Sequence, residues 1–155
     1  MLLYLVRHGK AMSEAEDPST RPLSEKGFQE ISRTASYLAR LNISVNQIFH
    51  SGKLRAKQTA EVLSGNLKPI NGTLETEGLA PSDDPAIWAE RLDEIADPIM
   101  LVGHLPHLEK LTTLLLTGKP DKDIVSLKTG GIICFTKDNS GNWVLQWMIT
   151  PEMVI

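Results

Sequence analysis

The chain has 155 residues, 41% of them hydrophobic and 23% charged, with a formal net charge of −3. That size and composition suit one soluble globular domain with a substantial core, so residues 1–155 are expected to form a single domain. The negative balance excludes an overall positive field for nucleic acid or an anionic membrane, and no apolar run approaches the ~20 residues of a membrane span.

Leu2 to Val6 are apolar or aromatic throughout, which suits a strand buried on both faces. It ends at Arg7-His8-Gly9-Lys10. Ser24 caps the first clear helix, with Leu23 placed to pack on Phe28 as a hydrophobic staple. Phe28, Ile31, Ala35, Leu38 and Leu41 recur at helical spacing up to Asn42. Gln47 to His50 reads as a short strand, and Ser51-Gly52 opens a second helix with Ala56, Ala60, Leu63 and Leu67 as its stripe. Asn71-Gly72 is a turn before an extended piece at 73–77. Asp84-Pro85 reads as a cap and a proline at the first helical position. That helix carries Ile87, Trp88, Leu92 and Ile95, with Arg91 the exception on its apolar face, and ends at Asp97-Pro98.

Ile99 to Val102 is a second buried strand, followed by Gly103-His104. Pro106 starts a helix bearing Leu108, Leu111 and Leu115, which Lys119-Pro120 terminates. Gly130-Gly131 precede a strand through Phe135, and Asn139-Ser140-Gly141-Asn142 turns the chain into a last strand, 143–149. Strand–helix alternation closed by a hairpin predicts an α/β fold: a three-layer α/β/α sandwich with a mainly parallel central sheet and an antiparallel C-terminal edge. The N-terminus shows no signal-type pattern, and one cysteine, Cys134, forbids an internal disulfide. Both fit a reducing, cytoplasmic setting, and Cys134 itself reads as a small buried hydrophobe.

Three pieces carry chemistry. Residues just past a parallel strand sit where open α/β sheets bind ligands. There, Arg7 offers a planar fork for phosphate or carboxylate, His8 an imidazole, and Gly9 an absent side chain where a ligand approaches. Ser51 falls at an expected helix start, where amides and the helix dipole favour an anion, and Arg55 lies one turn on. Alone, that pattern is more often a capping serine and a solvent-facing arginine. Gly103-His104 follows the second buried strand, so His8 and His104 are placed to converge.

Together these pieces resemble the histidine phosphatase superfamily. The family's Arg-His-Gly motif matches Arg7-His8-Gly9, and its Ser-x-x-x-Arg-Ala-x-Gln-Thr-Ala pattern matches Ser51, Arg55, Ala56, Gln58, Thr59 and Ala60. Its Gly-His motif matches Gly103-His104. Within the family the chain looks most like SixA-type phosphohistidine phosphatases, through Arg21-Pro22-Leu23-Ser24-x-x-Gly27, short length and Leu79-Ala80-Pro81. The resemblance implies a histidine nucleophile: His8 attacks phosphorus while Arg7, Arg55 and His104 surround the equatorial oxygens. Gly9, Ser51 and Arg21 are the substrate-binding candidates, and neither metal nor cofactor is expected.

The mutase-like branch carries a glutamate in a Leu-x-Glu stretch, where this chain has Pro81. Glu77 and Asp83 are nearby but shifted, and Asp84 reads as a helix cap. A phosphoimidazole leaves without the acid that an alkoxide needs, so the missing donor favours phosphohistidine. The expected partner is a phosphorylated protein of the histidine phosphotransfer type, with inorganic phosphate as product. The alternatives are a phosphomonoesterase for a small phosphorylated molecule and a non-catalytic phosphate-binding module. Four intact site residues argue against the module. Among the remaining residues, Lys10 and Lys53 are rim charges, His50 is structural or partly exposed, and His107 is solvated. Trp88, Trp143 and Trp147 are packing residues.

Overall fold

Leu3, Tyr4, Leu5 and Val6 are all buried because their strand, β1 (Leu2–Arg7), lies inside a sheet with helices on both faces. The computed structural model describes residues 1–154. In chain order the other main elements are α1 (Glu25–Arg40), β2 (Gln47–His50), α2 (Leu54–Leu67), β3 (Thr73–Glu75) and α3 (Pro85–Leu92). They are followed by β4 (Ile99–Gly103), α4 (His107–Thr117), β5 (Ile132–Lys137) and β6 (Trp143–Ile149). The sheet order is β3-β2-β4-β1-β5-β6. The first four in that order run parallel, and β5 and β6 form the antiparallel edge. This is the expected α/β sandwich.

Strand periodicity divides the core in two, since successive side chains point to opposite faces. Tyr4, Val6, Ile48, Met100 and Val102 pack with Ile31, Ala35 and Leu38 of α1 and Ala56, Ala60 and Leu63 of α2. Leu3, Leu5, Leu101 and Phe135 pack on the other face with Trp88 and Leu92 of α3 and Leu108 and Leu111 of α4. Arg7 pairs with Gly103 and His50 with Val102, so the carboxyl ends of β1, β2 and β4 share one edge of the sheet. Among the described residues no helix is long and apolar enough to cross a membrane.

Ser24 and Asp84 cap α1 and α3 as expected, accepting from the amides of Gly27 and Ala86. Several local expectations are corrected. Phe28 and Leu41 are 38% and 52% exposed, because the buried face of α1 runs through Gly27, Ile31, Ala35 and Leu38. Gly27 sets that rotation: it abuts the backbone of Lys10 so closely that a Cβ would collide with the Lys10 carbonyl. Position 28 therefore turns outward. The second helix starts at Leu54 rather than Ser51, because Gly52 is left-handed (φ 89°) and Lys53 is extended. α3 stops at Leu92, well short of Asp97. Its odd residue, Arg91, lies over the Trp88 ring at 5.2 Å and donates to the Glu77 carbonyl at 3.0 Å.

Gly27 joins the first helix to the β1 loop. Gly27→Ala is expected to destabilise the fold by ~1–3 kcal/mol through overpacking, read as a lower urea midpoint at unchanged m-value. An unchanged midpoint would show that the close approach is not needed.

Candidate active site

The edge shared by β1 and β4 fixes His8. Its amide donates to the Gly103 carbonyl at 3.1 Å, and its carbonyl accepts from Gly130 at 2.9 Å. Its ring is buried and its Nδ1 lies 2.7 Å from the Gly9 carbonyl. A carbonyl can only accept, so Nδ1 carries the proton and Nε2 keeps its lone pair. Arg55 Nε–H donates toward that lone pair over a long 3.4 Å. Burial first, then the charges of Arg55, Arg7 and Arg21, push the His8 pKa down to about 4, although the Gly9 bond opposes them. The ring is neutral at neutral pH, which is the state a nucleophile needs.

Arg7 and Arg55 bring charge to the same place without losing their free donors. Arg7 Nη1 donates to the Leu127 carbonyl at 2.9 Å, while its buried Nε has no partner among the described residues. Arg55 Nη1 donates to the Pro18 carbonyl at 3.0 Å. The His104 and His8 rings have centroids 5.0 Å apart. Burial, reinforced by His8 and Arg55, drives the His104 pKa down to about 2.

Arg7, His8, Arg55 and His104 line one cavity of about 540 Å3, together with Arg21, Lys10 and Lys26 nearer solvent. Among the described residues no carboxylate lines it, so the cavity presents five cationic side chains to an anion on a chain of net charge −3. Lys10 also meets Glu30 at 3.6 Å. Pro81 lines the wall. Glu77 and Asp83 line a separate cavity of about 490 Å3, and Asp83 Oδ2 accepts from the Ala80 amide at 2.9 Å. Among the described residues no acid lines the cationic cavity in place of the missing glutamate.

Two expected substrate-binding residues are placed elsewhere. Gly9 does not line the cavity; a Cβ there would come within 2.8 Å of Ile31 Cγ1, so its bare backbone serves helix packing. Ser51 also lies outside that lining, and its Oγ sits 2.6 Å from His104 Nε2, so it holds a site residue. Arg21 does line the cavity. His50 is buried, its Nδ1 accepting from the Gly52 amide at 3.1 Å. His107, expected in solvent, is fully buried with neither ring nitrogen partnered among the described residues, because α3 packs over that end of α4.

A model of the histidine phosphatase superfamily (branch 1) matches residues 3–80. The chain belongs to that superfamily. It is 26% identical over 155 aligned residues to phosphohistidine phosphatase SixA of Escherichia coli, spanning 97% of this chain and 94% of that one. It is 34% identical over 140 residues to an uncharacterized protein of Picosynechococcus, with 86% and 83% of the two chains covered. The solved structure of the protein histidine phosphatase SixA complexed with tungstate matches with a TM-score of 0.88 at 26% identity over 99% of each chain.

The family pattern contained two residues to which the sequence assigned no role. Gln58 Oε1 accepts the Leu23 amide at 2.7 Å, tying the segment after Arg21 to α2. Thr59 Oγ1 accepts the Gly9 amide at 3.0 Å. Their place in the pattern was the signal. The carbonyls of Leu127 and Pro18, which hold the two arginines, have no sequence signal at all.

The depressed pKa gives a test. A folded His8 that protonates near 4 binds fewer protons than an unfolded one at 6.5, so this group's contribution to stability is complete above pH 6.5 and declines toward pH 4. In an NMR titration the His8 ring resonances are expected to stay flat from pH 8 to about 5.5. A midpoint near the ordinary 6.5 would contradict the burial argument.

Proposed function

We propose that the chain is a metal-independent phosphohistidine phosphatase that works through a covalent phospho-His8 intermediate. The observation that carries this reading is a neutral imidazole whose unprotonated Nε2 meets only the long 3.4 Å approach of Arg55 Nε, in a cationic cavity that no carboxylate lines among the described residues. His8 Nε2 attacks phosphorus, and the bond from phosphorus to the substrate's ring nitrogen breaks. The leaving imidazole takes the electron pair and departs neutral, since its other nitrogen already holds a proton. Water then attacks phospho-His8, the P–Nε2 bond breaks with its electron pair returning to Nε2, inorganic phosphate leaves as H2PO4− holding both hydrogens of the water, and neutral His8 with its Nδ1–H is restored.

The two guanidinium groups and His104 serve the charge on the transferring oxygens. Phosphoryl transfer depends mostly on positioning and charge stabilisation, which preorganised donors supply without reorganising. Arg7 Nε, buried and unpartnered among the described residues, is one such donor. Tungstate, bound by the solved SixA, is a tetrahedral oxyanion with the shape of phosphate.

Pro81 supports a phosphoramidate substrate over an ester. An ester needs an acid for its alkoxide, and proton transfer to a leaving group contributes ~10²–10⁴-fold. A phosphoramidate does not. The substrate is accordingly a phosphohistidine on a protein, of the kind borne by histidine phosphotransfer domains, and its neighbours meet Lys10, Arg21 and Lys26 at the mouth.

Rates on a phosphohistidine protein and on a panel of sugar phosphates and nucleotides provide the check. The phosphohistidine kcat/KM is expected to exceed that of every ester by ~10²-fold or more. His8→Ala is expected to abolish turnover of all of them. Ester hydrolysis that outruns phosphohistidine would make the chain a phosphomonoesterase. Full activity in His8→Ala would refute the covalent route.

A further inference from the structure

Gly9 has two conflicting duties. Its carbonyl must hold the Nδ1–H of His8, yet packing against Ile31 denies it a side chain. Glycine is the residue whose backbone reorients most freely. Something outside the loop must therefore fix its orientation.

Thr59 meets that need. It is fully buried on α2, and one hydroxyl makes two bonds. Its O–H donates to the Arg55 carbonyl at 2.7 Å, and its Oγ1 accepts the Gly9 N–H at 3.0 Å. The first bond is ordinary for a helical threonine. Thr34, Thr112 and Thr117 also donate to the carbonyl four residues back. The second is different in kind, because it receives the amide of a loop fifty positions away in sequence. One oxygen thus ties the nucleophile's loop to the residue whose Nε lies 3.4 Å from His8 Nε2.

We infer that Thr59 is a positioning residue for phosphoryl transfer: its hydroxyl anchors the His8–Gly9 peptide, from which the adjoining Gly9 carbonyl reaches His8 Nδ1 and keeps the Nδ1–H tautomer, and it registers His8 against Arg55. It touches no reacting atom. The inference rests on His8 as nucleophile and is independent of whether the natural substrate is a phosphohistidine.

Thr59→Val keeps the shape and removes the hydroxyl; Thr59→Ser keeps the hydroxyl. With a generic aryl phosphate, the valine variant is expected to lose roughly tenfold or more in kcat with KM within about threefold, the rate equivalent of one lost hydrogen bond. The serine variant is expected to recover kcat. Nitrogen NMR of the His8 ring reports the tautomer without any turnover: Nδ1–H alone in the wild type, a mixture in the valine variant. A valine variant with wild-type kcat and a single Nδ1–H tautomer would overturn the inference. Should that variant not fold, amide exchange in the wild type decides, since the Gly9 N–H is expected to be strongly protected and a freely exchanging one rules the bond out. Loss of all activity in His8→Ala tests the nucleophile separately.

Discussion

The site depends on a single hydrogen bond from a buried imidazole to a backbone carbonyl. With its one proton committed to Gly9, the His8 ring leaves Nε2 as its unprotonated nitrogen, the one the proposed mechanism uses. Burial keeps it from taking a second proton at neutral pH, and the neighbouring guanidinium groups add to that resistance. The same charges that add to the burial effect on His8 line the cavity and suit it to an anion, as the proposed phosphatase reading requires. One arrangement therefore serves both binding and activation.

The fold builds this arrangement by bringing distant segments to one edge. β1 and β4 run parallel as neighbours, so His8 and His104 emerge side by side from strands nearly a hundred residues apart. α2 then connects the parts. Just ahead of it Ser51 holds His104, and on its first turns Arg55 reaches His8, Gln58 holds the Leu23 segment and Thr59 holds Gly9. The superfamily pattern around Arg55 is thus a set of attachments as well as a source of charge. Placing these contacts on helices and strand ends makes the geometry stiffer than a loop would.

Much of this was legible in the chain because it follows from short-range rules. The apolar runs of β1 and β4 can only be buried strands, and Ser24 and Asp84 announce helix starts by capping chemistry. Arg7, His8, Arg55 and His104 were singled out because their types and spacing match a phosphate chemistry and a known family pattern, and the structure brings all four to one cavity. The misreadings at the site arise from tertiary contacts and from local backbone conformation. Gly9 reads as a ligand approach until Ile31 is seen against it. Ser51 reads as a helix cap until Gly52 turns left-handed and releases it toward His104. His107 reads as solvated until α3 covers it. For Gly9 and His107 the deciding neighbour is far away in sequence and leaves no periodic trace, whereas for Ser51 it is the backbone of the adjacent Gly52.

The most direct measurement is the position of the phosphoryl group on the trapped enzyme. Turnover quenched in alkali, followed by mass spectrometry and phosphorus NMR, is expected to show a single adduct on Nε2 of His8. Phosphate on Nδ1 of that ring, phosphate on another residue, or steady turnover with no phosphorylated protein at any time would contradict the account.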